Sequence, residues 1–275
     1  MIHLPNVPLV LAAALCSFAA PAGTPTGQIK PETARDFDCY IQTAEARMEA
    51  RTVFIAAVPD NGQELVLGRK ILTVAPSGAN PHKVAAGQLY DWVGTVFIPG
   101  GNLDRLVLML QDYDHRAEYF PETISSSKLL CRTGKDHFRY TMRMKEPAVL
   151  DVESDVTWEH VDAHRWRCRS YATSVHEVGK DHGYLRRLNS YWRFEEASGG
   201  VFVEGETITL SDEFGGVARA FGSAFLQINP EKSLRHSLQS MRESILKPGL
   251  RIANPPEGVA ECGEAFHPAP CNAAK

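Results

Sequence analysis

The chain has 275 residues, of which 44% are hydrophobic and 23% charged, the balance of a globular protein that can bury a sizeable core. Its formal net charge is −4 and its lysines and arginines do not cluster, so it lacks the electrostatic signature of proteins that bind nucleic acid or anionic lipid surfaces. We therefore expect neither as the main partner.

The first 22 residues have the pattern of a secretory signal peptide. Residues 7–20 form an apolar run that is too short for a transmembrane helix, and an Ala-x-Ala site follows at 20–22. We therefore expect residues 1–22 to be removed. The mature protein would be exported to the periplasm or the extracellular space, without a stable membrane anchor.

Five cysteines would remain after cleavage, an odd number: Cys39, Cys131, Cys168, Cys262 and Cys271. In an oxidising compartment we expect a disulfide between Cys262 and Cys271, which would close a short proline-rich loop. Cys131 and Cys168 fall within strand patterns and are interpreted as small buried apolar residues. No partner is predicted for Cys39.

The N-terminal region predicts a helix followed by short apolar segments. Residues 31–50 carry apolar side chains at helical spacing: Phe37, Tyr40, Ile41, Ala44 and Met48. Residues 53–58 and 65–74 suit short strands or a helix followed by a strand. We interpret residues 23–87 as an N-terminal extension that packs on the main domain.

A strand with two apolar faces is predicted from residue 88. Val93 and Phe97 point to one face, whereas Trp92, Val96 and Ile98 point to the other. Both faces must therefore be covered, one by the main core and the other by the N-terminal segment.

A helix capped by Asn102 follows, with an apolar stripe at 103, 106, 107 and 110, and a short helical turn ends before Pro121. Four strands are predicted next, at 124–132, 136–146, 148–159 and 165–178.

Residues 185–211 predict a hairpin around Ser-Gly-Gly. Pairing Glu196 with Val201 fixes the register of its two strands. One face then holds Phe194 opposite Val203 and Trp192 opposite Gly205, and the other holds Arg193 opposite Glu204 and Tyr191 opposite Glu206.

The remaining chain predicts two helices and a tail. Residues 217–228 are apolar and suit a helix. Asn229 and Pro230 then begin a helix whose apolar stripe is Leu234, Leu238, Met241 and Ile245. Residues 248–275 show no periodicity and are interpreted as an irregular tail.

This order of elements resembles the START-like superfamily, also called SRPBCC, which includes polyketide-cyclase-like and coenzyme-Q-binding proteins. The resemblance is carried by residues 96–121, 191–211 and 230–246, and it covers a domain at 88–247. It implies an α+β helix-grip fold in which a curved antiparallel sheet of about seven strands wraps a long C-terminal helix. More narrowly, the chain resembles an exported, uncharacterised bacterial branch with an N-terminal extension.

The resemblance implies a hydrophobic pocket between the sheet and the last helix. Its expected ligand-binding residues are Val93, Phe97, Trp192, Phe194, Phe221 and Phe225, the last two at a gate. Each of these aromatic residues can equally be core, because aromatic side chains bury a large area with or without a ligand. Which sheet face is concave stays open at this point.

Four polar residues of the hairpin have two interpretations. Tyr191, Arg193, Glu204 and Glu206 could act as acid and base or orient a substrate inside the cavity. They could instead form cross-strand ion pairs on a solvated face, which is the interpretation that we prefer.

Other motifs give little support for catalysis or metal binding. His160 and His164 bracket a predicted turn, and the pair lacks the glutamate of a metalloprotease motif. His176, Glu177, Asp181 and His182 lie close in sequence, but such residues are common in loops, so no metal site is predicted. Motifs for a nucleophile elbow or a nucleotide are absent from the sequence, and no cofactor is predicted.

Three functions follow as hypotheses. The first is an exported protein that binds or carries an apolar small molecule, such as a lipid, isoprenoid or polyketide-like compound. The alternative is a cyclase- or hydrolase-type enzyme that uses polar residues in the same cavity. A third is an interaction scaffold with a collapsed core and an apolar surface patch. The sequence makes no prediction of oligomeric state.

Overall fold

The computed structural model describes residues 29–56, 65, 70–145, 148–197, 199–213, 229–253 and 258–271. The expected signal peptide, the helix expected at 217–228 and the gate residues Phe221 and Phe225 lie outside the described residues.

Most of the described strands follow one another without a helix between them. The helices are α1 (Pro31–Glu49), α2 (Leu103–Gln111), α3 (Arg116–Tyr119) and α4 (Pro230–Leu246). The strands are β1 (Leu72–Val74), β2 (His82–Val84), β3 (Gly87–Pro99), β4 (Ile124–Thr133), β5 (His137–Met144), β6 (Leu150–Asp162), β7 (Arg165–Glu177), β8 (Arg187–Ala197) and β9 (Gly200–Asp212).

All of these strands belong to one antiparallel sheet. Its order is β1-β3-β9-β8-β7-β6-β5-β4, with β2 also paired to β3. Seven long strands, β3 to β9, do most of the pairing, and the twist of such a sheet makes it curl around α4. The predicted α+β helix-grip fold is confirmed.

The predicted hairpin register is also confirmed. Glu196 pairs with Val201, Trp192 with Gly205 and Arg193 with Glu204. A Cβ atom at Gly205 would lie 2.4 Å from the Trp192 ring, so the indole lies flat against a position without a side chain. The sheet face that carries Trp192 and Phe194 is called the inner face, and the face that carries Tyr191 and Arg193 the outer face.

Helix α4 packs on the inner face. Asn229 caps it by accepting a hydrogen bond from the Lys232 amide, and Pro230 occupies the first turn, as predicted. Its stripe is buried, as predicted: Leu234, Leu238, Met241 and Ile245. A Cβ at Gly94 would lie 2.7 Å from Leu238, so the missing side chain lets α4 approach β3 closely.

Helix α1 covers the outer face, so both faces of β3 are covered. Its buried residues Phe37, Ile41, Ala44 and Met48 pack on side chains of the sheet: Leu89, Tyr171, Tyr191, Ile208 and Leu210. None of the described helices is long and apolar enough to cross a membrane.

Two disulfides attach the tail, and the predicted Cys262–Cys271 bond is wrong. Cys271 instead pairs with Cys39 of α1, and Cys262 pairs with Cys131 of β4, which is therefore not a free apolar residue. The tail runs across the outer side of the sheet, where the Arg132 amide donates to the Ala260 carbonyl and the Phe266 ring lies 5.7 Å from that of Tyr171. This course carries the two tail cysteines to different parts of the fold.

Candidate ligand-binding cavity

A cavity of about 210 Å³ lies between the inner face and α4. Strands β5 to β9 supply one wall, α4 supplies the opposite wall, and α2 and α3 supply one end. Its lining is mainly apolar.

Aromatic side chains crowd the end next to α3. Trp158 stacks on Phe194 with ring centroids 5.6 Å apart, and its Nε1 donates to the hydroxyl of Tyr113 at 2.9 Å. Phe120 and Tyr140 complete this part of the lining. The indole has its polar atom satisfied, so the cavity meets mostly hydrocarbon here.

The same end holds one arginine, Arg116. A terminal nitrogen of its guanidinium donates to the Leu110 carbonyl at 2.9 Å, whereas its Nε is buried without a hydrogen-bond partner. The guanidinium carbon lies 4.9 Å from the ring centres of both Tyr113 and Tyr140 and 5.8 Å from that of Phe120. Arg116 is thus enclosed by aromatic rings and faces the cavity.

A row of hydroxyl groups crosses the middle of the inner face. Ser170, Ser190 and Thr207 are direct cross-strand neighbours on β7, β8 and β9, and Thr209 lies two residues further along β9. All four line the cavity. They give an apolar chamber a set of donors and acceptors for a ligand that carries polar atoms.

The described lining is exposed to solvent at the start of α4. Asn229, Lys232 and Ser233 are exposed and belong to the lining. Among the described residues, the cavity therefore has an open end beside the first turn of α4 and a buried aromatic end beside α3.

The structure separates the predicted ligand-binding residues into two groups. Trp192 and Phe194 line the cavity. Val93 and Phe97 are buried but belong to the outer face, where Val93 lies opposite Glu206 and Phe97 packs on the Phe202 ring at 4.6 Å. Their predicted place in the pocket is corrected, because the concave face is the one that carries Trp92 and Val96.

Both interpretations of the four polar hairpin residues are corrected as well. Tyr191, Arg193, Glu204 and Glu206 face away from the cavity, so they do not form a constellation inside it. They are not solvated either, since α1 covers them and each is less than 10% exposed. The predicted cross-strand pairs are therefore confirmed, whereas the prediction that this face is solvated is wrong, because α1 covers it.

Arg47 of α1 and Arg51, which lies two residues after the end of that helix, neutralise the two glutamates. Arg51 pairs with Glu204 at 2.6 Å, and Arg193 approaches the same carboxylate at 3.7 Å. Arg47 pairs with Glu206 at 2.5 Å and with Asp91 of β3 at 3.1 Å. The polar contacts of this face therefore dock α1 on the sheet.

Asp91 and Glu206 both pair with Arg47, and one cation cannot neutralise two carboxylates. Burial, followed by the charge of Asp91, raises the pKa of Glu206 to about 8. Burial also raises the pKa of Asp91, against the opposing effects of Tyr40 and Arg47. The pair holds a proton near neutral pH.

Glu45 of α1 accepts hydrogen bonds from two tyrosine hydroxyls, Tyr171 at 2.8 Å and Tyr191 at 2.9 Å. Burial raises the pKa of the Tyr191 phenol further above its ordinary range, so it stays a donor. Tyr191 thus helps to hold α1 on the sheet through its hydrogen bond to Glu45.

The histidine-rich segment pairs internally. His182 contacts Glu177 through Nδ1 at 2.6 Å, and Asp181 pairs with Arg186 at 2.7 Å. Within the described ranges, no three His, Cys, Asp or Glu side chains come close enough to hold a metal ion.

Sequence reasoning missed Arg116 and the hydroxyl row. Arg116 belongs to a four-residue helix, where periodicity is too short to assign a face. The row could have been found, because Ser190 lies two residues from Trp192 on the same strand and therefore shares its face.

No family model matches the sequence, and no curated protein matches it. Several solved structures resemble the chain at low identity. A STAR-related lipid transfer protein from Xanthomonas axonopodis has 14% identity and a TM-score of 0.43, over 62% of this chain and 98% of its own.

The Zhui aromatase/cyclase from Streptomyces sp. R1128 has 14% identity and a TM-score of 0.41, over 57% of this chain and 93% of its own. The human StarD13 lipid transfer and protein localization domain has 11% identity and a TM-score of 0.41, over 62% of this chain and 89% of its own. Two of these three structures are thus lipid transfer proteins or domains by name, and the third is an aromatase/cyclase. The identities are too low to transfer a ligand or an activity.

Proposed function

We propose that this chain is an exported protein that binds or carries an apolar small molecule, such as a lipid, isoprenoid or polyketide-like compound. The observation that carries the proposal is the cavity itself, an aromatic chamber between sheet and helix in a fold that could otherwise have closed on its own side chains. Well-packed cores leave few voids larger than a water molecule, so a chamber of about 210 Å³ is a costly feature without an occupant.

The driving force would be burial of apolar ligand surface, worth about 25 cal/mol per Å², less the cost of association. Pockets for drug-sized ligands commonly measure about 300–1,000 Å³. The ligand is therefore compact, or it extends past the open end beside Lys232.

Export is the second part of the proposal. The first 22 residues have the pattern of a signal peptide, and two disulfides favour an oxidising compartment over a reducing cytosol.

The rival functions have less support. The enzyme hypothesis relied on four polar residues, and these lie under α1, outside the cavity. The scaffold hypothesis requires a collapsed core, which the cavity volume opposes.

Native mass spectrometry of the protein purified from the exported fraction tests the proposal, followed by solvent extraction of whatever is bound. We expect a bound apolar compound near one equivalent. A Ser190→Phe variant, which fills the cavity, should lose it, whereas Ser174→Phe at an exposed position of β7 should keep it. A compound that stays bound to the Ser190→Phe variant would place it elsewhere and contradict the proposal.

A further inference from the structure

Over the residues that the structure describes, Arg116 lacks the carboxylate partner that Arg193 and Arg186 have. Arg193 faces Glu204, and Arg186 pairs with both Asp181 and Asp212. Within the described part of the chain, no carboxylate forms an ion pair with Arg116, and its Nε lacks any hydrogen-bond partner. An arginine remains charged at any physiological pH, so this site has a positive charge that is not neutralised.

The surroundings make the missing partner costly. Three aromatic rings enclose the guanidinium, and apolar side chains form the adjacent lining. Ring faces attract a cation but do not accept its N–H groups as a carboxylate does. The unsatisfied N–H points to an acceptor that belongs to the occupant of the cavity.

We propose that Arg116 binds the carboxylate of an amphipathic acid whose apolar body fills the cavity. This inference rests on the proposed function and specifies the chemical class of its ligand. A carboxylate fits because its two oxygens match the planar fork of a guanidinium.

The fold also sets the direction of the ligand. Ser244 of α4 donates to the Tyr119 carbonyl of α3 at 2.7 Å, so Arg116 lies near the C-terminal half of α4. The exposed lining residue Lys232 lies twelve residues earlier, roughly 18 Å along the helix axis at 1.5 Å per residue. The acid group therefore enters first, and the apolar body extends past the hydroxyl row toward the open end.

Competition binding tests the inference with a matched pair of probes, decanoate and decan-1-ol. Each displaces the uncharged fluorophore 1-aminoanthracene from the full mature protein at pH 7, where decanoate is ionised. We expect decanoate to bind about tenfold to a hundredfold more tightly than the alcohol, the range for hydrogen bonds to a charged group.

The Arg116→Met variant should lose this preference and keep its affinity for decan-1-ol, and Arg116→Lys should keep part of it. Arg132→Met is the control, because Arg132 also lies over an aromatic ring, that of Phe138, but is absent from the cavity lining. It should bind both probes as the unmodified protein does.

The outcomes separate the two proposals. Equal binding of acid and alcohol to the unmodified protein overturns the acid assignment and leaves apolar binding standing. A preference that survives in Arg116→Met overturns the role of Arg116. Absence of binding by either probe overturns the proposed function, and this inference with it.

Discussion

At the residue scale, two contacts place the cavity wall. The Trp192 ring fits against Gly205, and the Gly94 backbone lies under Leu238 of α4. Each glycine permits an approach that any side chain would block. The width of the chamber therefore depends on two positions that line no part of it themselves.

A Gly205→Ala substitution should displace the Trp192 indole into the cavity, since the new Cβ would lie 2.4 Å from the ring. Overpacking of this kind costs about 1–3 kcal/mol of unfolding free energy. Chemical denaturation should report the loss, and the affinity for 1-aminoanthracene should fall with it. Gly263→Ala, where a Cβ would meet nothing within 4 Å, should change neither.

Glu206 should make stability depend on pH. Its folded pKa of about 8 exceeds the ordinary 4.5, so the folded protein holds the proton more tightly than the unfolded chain. Stability is then highest below pH 4.5 as far as this group is concerned, and it declines as the pH rises toward about 8, by at most about 1.4 kcal/mol per pH unit. Asp91, whose pKa is also raised, acts in the same direction.

Urea unfolding at a series of pH values checks this expectation. Glu206→Gln should flatten the decline between pH 5 and 8 by removing the titrating group, and Glu122→Gln at an exposed site should leave it unchanged. An undiminished decline in Glu206→Gln would assign the effect to other groups.

At the element scale, the prediction from sequence was most successful where the signal is local. The α1 stripe, the Asn102 cap and the hairpin register depend on residues a few positions apart, and all three are confirmed. The identity of the concave face depends on which helix packs where, which is a distant contact. Val93 and Phe97 share one face of β3, as predicted, but that face was wrongly taken as the one that lines the pocket, because the strand is apolar on both faces.

The docking of α1 should depend on Arg47. This residue is the partner of two buried carboxylates, Asp91 and Glu206, so Arg47→Met would leave both without their cation. We expect a loss of about 2 kcal/mol of unfolding free energy at pH 8, because the substitution removes the cation from two buried carboxylates. The loss is smaller than for a fully buried pair, since Arg47 is itself half-exposed. The loss should shrink at pH 5, below the raised pKa of Glu206, because that carboxyl then holds a proton and needs no cation.

Thermal or urea unfolding at the two pH values measures this difference. Arg35→Met, on an exposed position of the same helix, is the matched control and should have little effect. An equal loss at both pH values would show that Arg47 acts through packing of its alkyl chain.

At the scale of the whole molecule, the tail connects parts of the chain that are far apart in sequence. Its disulfides span 232 and 131 residues, and no local pattern in the sequence could have revealed either partner. Proximity along the chain suggested Cys262 with Cys271, yet an extended segment keeps its own ends apart.

Peptide mapping without reduction should recover the pairs Cys39–Cys271 and Cys131–Cys262. A Cys262→Ser variant should lose about 2–5 kcal/mol of stability, since a long closed loop becomes free in the unfolded state. Recovery of a peptide that joins Cys262 to Cys271 would contradict this arrangement.

Cys168 should remain unmodified by iodoacetamide in the folded state, because burial raises the pKa of its thiol to about 12.

The position of these bonds also sets an order of events during biosynthesis. A polypeptide emerges from the ribosome with its N-terminal end first, so Cys39 and Cys131 have no native partner until Cys271 and Cys262 have been made. All nine described strands, which end at Asp212, are therefore made before either native bond can form. The last cysteines to be made are thus the ones that cross-link the tail to α1 and β4.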